Sequence, residues 1–219
     1  MYELPLFPLN TVLFPGTPLN LHIFEARYKQ MVKMCMDEKK PFGVALIRQG
    51  VEAAGPLAQP FPVGCTARII QVQRLNQGRM NIVALGEERF RIHSLDSQSH
   101  PYLVGTVADY PMPAPSPPAL QRFGPSLRRQ VEGYIATLIN AGGVKFDLEQ
   151  LPTEPMPLAY MAAAILQISA ARKQALLSFE NADDLLSSLC DHYRREIALL
   201  QVTLTSSGSR WMPGGFSIN

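Results

Sequence analysis

Five prolines crowd the eight residues PMPAPSPP at 111–118, and this run constrains the fold more than any other feature of the chain. Proline lacks a backbone N–H and has a fixed φ, so such a stretch can neither join a sheet ladder nor enter a helix interior. It reads as a linker that divides the 219 residues into two parts of ordinary domain size. Nineteen prolines in all, against a usual share of about 5%, predict many turns and strand edges and few long helices. Hydrophobic residues make up 47% and charged residues 17%, which is globular and too apolar for a disordered chain.

Before the linker the period is that of strands. ELPLFPLNTVLF is followed by Pro15-Gly16 and then LNLHIF, where Leu19, Leu21 and Ile23 alternate with Asn20 and His22. Phe24, Tyr28, Met31 and Cys35 then recur at helical spacing and predict one short amphipathic helix. Strands resume at 42–47, 65–75, 80–85, 89–92 and 102–110, separated by Gly50, Gly55-Pro56, Asn76-Gln77-Gly78 and Gly86. The Asn-x-Gly signal makes 65–75 and 80–85 antiparallel neighbours. Six or more short strands with one helix predict a closed or nearly closed β-barrel, which hides most sheet edges, over residues 1–110.

After the linker the period becomes helical. Leu127, Val131, Tyr134 and Leu138 form a stripe that ends at Gly142-Gly143. A second helix opens after Pro157, Ser169 caps a short ARKQALL turn, and Asn181 caps a last helix whose stripe runs through Leu185, Leu189, Tyr193, Ile197, Leu200 and Leu204. Residues 119–205 are therefore expected to be a helical bundle, and 206–219, with Trp211 and Phe216, a flexible tail. The class is α+β.

Composition excludes several functions. The net charge of +2 is spread evenly, at +2 for residues 1–110 and zero for the remainder, and the densest basic runs are pairs such as Lys39-Lys40. A nucleic-acid binder concentrates its basic residues in a stripe. Three cysteines without a C-x-x-C pair argue against a disulfide framework and a cysteine zinc site, and fit a reducing compartment. No basic residue precedes Arg27, unlike a signal peptide, and no apolar run approaches a membrane span. A cytoplasmic bacterial protein is the expectation.

Chemistry is equally sparse. The chain has no Walker A loop, G-x-S-x-G elbow, H-E-x-x-H or G-x-G-x-x-G. Cys190 and His192 point about 200° apart on one helix and cannot grip a single ion. In a strand, Glu87 and Glu88 face opposite sides and do not converge on a substrate, so pairing with arginine across strands is the better reading. No catalytic residue, metal or cofactor is expected.

LPLFPLNTVLFPGTPLNLHIFEARYKQMV at 4–32, with FGVALI-x-x-G at 42–50, VGCTARI at 63–69, GEERFRI at 86–92 and PYLVGTV at 101–107, resembles the N-terminal substrate-binding domain of the Lon protease family. Stand-alone bacterial members and cereblon carry the same domain. PLAYMAAAIL and KQALL are similar to the family's helical part, whereas SFENADDLLSSL departs from its usual acidic residue and Arg-Leu pair. The resemblance implies a PUA-like β-barrel followed by a helical bundle. It also implies recognition of protein substrates without the ATPase and Ser-Lys protease modules, and hence no enzyme activity.

A non-enzymatic module binding unfolded or exposed apolar polypeptide segments, as an adaptor or holdase, is the expected function. RNA binding by the barrel is the alternative. Phe7, Phe14, Leu19, Phe24, Tyr28 and Met31 are the candidate peptide-binding residues, each of which could instead serve the core or the strand-to-helix junction. Met31, Met34 and Met36 crowd the short helix, and flexible thioethers suit a promiscuous surface.

Overall fold

A computed structural model of the chain describes residues 1–52, 55, 57–140 and 147–206, with side chains of the final stretch as far as Val202. Seven strands and five helices follow in order: β1 (Tyr2–Leu9), β2 (Pro18–Ile23), α1 (Ala26–Glu38), β3 (Phe42–Gln49), β4 (Gln59–Pro60), β5 (Val63–Arg74), β6 (Met80–Asp96), β7 (Leu103–Asp109), α2 (Pro117–Asn140), α3 (Pro155–Ile165), α4 (Ala170–Leu177) and α5 (Ala182–Ser206). They fall into two compact units. Met1–Pro111 join Ser169–Ser178 in one, and Met112–Ile168 join the described residues from Phe179 onward in the other.

The first unit is a mostly antiparallel sheet in the order β1-β7-β6-β5-β3-β4. Its pairing path returns to its start, because β3 also pairs in parallel with β1, Leu6 opposite Gly43 and Leu9 opposite Leu46. β6 is long because the two segments at 80–85 and 89–92 are one strand. Gly86 does not break it. Gly86 instead allows the Pro15-Gly16 turn to approach: a Cβ there would stand 2.3 Å from the Phe14 carbonyl oxygen, and Gly16 N–H donates to the Gly86 carbonyl at 2.8 Å.

β2 pairs with β6 in the register Leu21 opposite Ile82 and His22 opposite Asn81. Its inward Leu21 and Ile23 meet Tyr28, Met31, Val32 and Cys35 of α1 in the main core. A second cluster joins Leu4, Leu6, Phe90, Leu103 and Val107. Helix α1 stops at Lys39, whose φ of 54° is left-handed, and Lys40 N–H then bonds the Cys35 carbonyl at 3.0 Å.

α4 packs in the sheet unit although the helical period runs through it. Arg89, 2% exposed, donates from Nη1 to the Leu177 carbonyl at 2.7 Å. Its cation thereby meets the negative end of α4. Gln174 Nε2 donates to the Val63 carbonyl at 3.0 Å. Ser169 accepts at its hydroxyl from Arg172 N–H, the cap the sequence predicts.

In the second unit, the stripe Leu127, Val131, Tyr134 and Leu138 of α2 is buried, as are Leu185, Leu189 and Tyr193 of α5. The α5 stripe then opens, with Ile197 and Leu200 only half-buried. Tyr134 and Tyr193 meet edge to face at 5.3 Å, and the Tyr193 hydroxyl donates to the Ala162 carbonyl at 2.9 Å. Two helix starts are tied together: Ser116 donates to Asp183 from N–H and from Oγ at 2.8 and 2.6 Å, while Ser116 Oγ accepts from Ala119 N–H. Asn181 caps α5 through Asp184 N–H at 2.9 Å. Gly142-Gly143 and the tail with Trp211 and Phe216 lie outside the described residues.

Candidate functional site

Among the six candidate residues, Phe7, Tyr28 and Met31 come together in the main core. The Phe7 and Tyr28 rings stack at 3.9 Å between centroids. Phe14 is fully enclosed, and Leu19 packs half-buried against the same core. Phe7, Leu19, Tyr28 and Met31 are committed to packing because the apolar stripe of α1 shares one core with the inward residues of β2 and β6. Phe24 differs. It precedes the helix start, is 51% exposed, and stacks on His22 at 5.9 Å. Its neighbours Glu25 and Arg27 form an ion pair at 2.9 Å.

None of the six lines the groove of about 370 Å³ that opens elsewhere in the sheet unit, between the C-terminal turn of α1 and β5. Cys35, Met36, Lys39 and Lys40 form one wall, and the consecutive residues Arg68 to Val72 form the other. A groove facing the flat of a strand would be lined by alternate residues. Five in succession mean that it meets β5 along its edge.

That edge is open. β3 pairs with β5 only at Cys65, Thr66 and Ala67, and among the described residues no other strand covers β5 beyond that point on this side. Exposed edges are usually blunted, and β5 carries a bulge: Ile69 opposes Ala84 and Gln71 opposes Val83, leaving Ile70 as the extra residue. The bulge turns Ile70 outward to 57% exposure, with Val72 at 36% beside it. The alternation reading missed this, although the adjacent pair Ile69-Ile70 already breaks the two-residue period.

Charge on the groove is one-sided. Lys39, Lys40 and Arg68 line it and no carboxylate does. Arg68 Nε is held by Glu87 at 2.6 Å, the cross-strand pairing the sequence suggests, and Lys40 by Glu38 at 2.7 Å. The Glu38 hydrogen bond raises the Lys40 ammonium pKa above its ordinary value. Cys35 supplies no nucleophile here: burial pushes its thiol up to about 11, so it stays protonated near neutral pH. Among the described residues no three His, Cys, Asp or Glu side chains gather as a metal site requires, and no helix is long and apolar enough to cross a membrane. The arrangement offers apolar contact, free strand hydrogen-bonding groups and a cationic rim.

Comparison with known proteins gives these features a context. Residues 3–195 match the ATP-dependent protease La (LON) substrate-binding domain. The Lon protease of Escherichia coli K12 is 26% identical over 210 residues, covering 91% of this chain and 26% of that protein. Lon protease 2 of Myxococcus xanthus is 27% identical over 176 residues, covering 80% of this chain and 21% of that protein. The chain thus spans about a quarter or less of the Lon proteases it matches. Among solved structures, a Lon N-terminal domain protein from Xanthomonas campestris superposes with a TM-score of 0.60 at 25% identity, covering 97% of this chain and all of that one. The N-terminal domain of Lon protease from the Mycobacterium avium complex shares the fold, with a TM-score of 0.65 at 19% identity over 88% of this chain and 98% of that one. This chain belongs to the family of Lon substrate-binding domains.

Proposed function

We propose that the protein binds exposed apolar segments of other polypeptides at the α1–β5 groove, as a non-enzymatic adaptor or holdase in the cytoplasm. The observation that carries this reading is the open β5 edge with Ile70 and Val72 exposed on it, in a chain whose family is named for binding substrates. Met36 lines the same groove, and its flexible thioether adapts to varied side chains. We take the closed pairing path of β1, β7, β6, β5 and β3 as a PUA-like barrel that carries this edge, and residues 119–205, apart from α4, as a helical bundle. The RNA-binding alternative gains no support: no aromatic side chain lines the cationic groove, so bases have nothing to stack on.

The test is suppression of aggregation of a chemically unfolded client in the absence of ATP. Wild-type protein slows it, with client affinity on the order of micromolar and little salt dependence. Ile70→Asp, at an exposed position that tolerates charge, removes the effect while circular dichroism stays unchanged. A wild-type protein that leaves aggregation untouched overturns the reading.

A further inference from the structure

We infer that the segment taken by this groove is an extended strand rich in apolar and acidic residues, which pairs its backbone with β5. The inference rests on the polypeptide-binding reading above and adds the conformation and chemistry of the ligand.

An open strand edge satisfies its backbone groups best with another strand, giving affinity through main-chain bonds and selectivity through alternate side chains. The groove exposes such an edge over Arg68 to Val72. Val72 lies opposite the core residue Ile82 and the bulge sets Ile70 on the other face, so a strand lying there meets an aliphatic side chain on each of its faces, and both favour aliphatic partners. The rim around it holds Lys39, Lys40 and Arg68 and no acidic residue. Glu87 and Glu38 engage Arg68 and Lys40. No ion pair involves Lys39 among the described residues, so it is the rim's open cation. Carboxylates on the incoming strand therefore gain, and cationic side chains are repelled. The same rim disfavours the other ready occupant of an open edge, a second copy of this chain, since pairing two copies edge to edge would bring the two sets of cations together.

The experiment uses the full chain and a short labelled peptide of alternating valine and glutamate, followed by fluorescence anisotropy. Two N-methylated forms of the peptide carry the methyl groups on alternate residues in opposite phase, so that each blocks the N–H groups of one edge only. Strand pairing predicts that one phase binds about tenfold or more weakly and the other like the parent. Replacing glutamate by lysine, or Lys39 and Lys40 of the protein by glutamate, weakens binding by a similar factor. Equal binding by both methylated phases overturns strand pairing, and equal binding of the lysine peptide overturns the acidic preference. Concentration-dependent dimerisation abolished by Ile70→Asp, without peptide binding, assigns the edge to a second copy and overturns the inference. Salt-sensitive RNA binding without peptide binding also overturns it. If the client is protected but the peptide does not bind, the strand inference fails alone. If neither occurs, the functional reading fails with it.

Discussion

At Arg89 the side chain does what neither charge nor periodicity announces. A nearly enclosed guanidinium is normally costly, and here the cost is offset in part by the Leu177 carbonyl and by the face of Tyr110, 4.5 Å from the ring centroid. Replacing it by methionine keeps the volume and leaves the carbonyl and helix end unanswered. Arg89→Met should cost about 2–4 kcal/mol in urea unfolding. Tyr193→Phe removes only the hydroxyl that serves the Ala162 carbonyl, and a loss of about 1–2 kcal/mol is expected in the same measurement. Gly86→Ala drives a methyl into the Phe14 carbonyl, so a lowered melting temperature should follow, whereas at Gly124, where an added Cβ meets nothing within 4 Å, it should not.

Elements were legible where a local rule makes them. The alternation of Leu21 and Ile23 gave β2, the stripe of Tyr28, Met31 and Cys35 gave α1, and the caps at Ser169 and Asn181 gave two helix starts. Phe24 extended that stripe one step too far, since the helix begins after it. The site was poorly legible because an open edge is defined by which strand is missing beside it, and no local period reports that. α4 was assigned by period to the helical half for the same reason: the partners of Gln174 and Leu177 are Val63 and Arg89, far away in sequence. The joined starts of α2 and α5 carry a pH signature. Two hydrogen bonds from Ser116 hold the Asp183 carboxyl below its usual pKa. Its folded-state pKa is therefore depressed, so the stabilisation is present above the ordinary carboxylate range near pH 4 and is lost as pH falls through the folded value. Asp183→Asn should flatten the acid limb of melting temperature against pH.

On the scale of the whole molecule, the sheet unit is not one stretch of sequence. Because Ser169–Ser178 belong to it, a fragment ending at Pro111 lacks the helix that answers Arg89, and it should melt below the intact chain by circular dichroism. A synthetic peptide of residues 169–178 added in excess should recover part of that difference. The pairing of β1 carries a consequence for synthesis. β1 leaves the ribosome well before its antiparallel partner β7, which begins at Leu103, and before the helix that completes the unit, which begins at Ala170. At translation speeds of roughly 5–20 residues per second, the interval between β1 and α4 lasts on the order of ten to thirty seconds. Throughout it, Leu4 and Leu6, which end up enclosed, have no finished core to enter. The two ends of this unit are thus separated in time as well as in sequence, and slowing elongation should lengthen the window in which protease reaches the β1 segment.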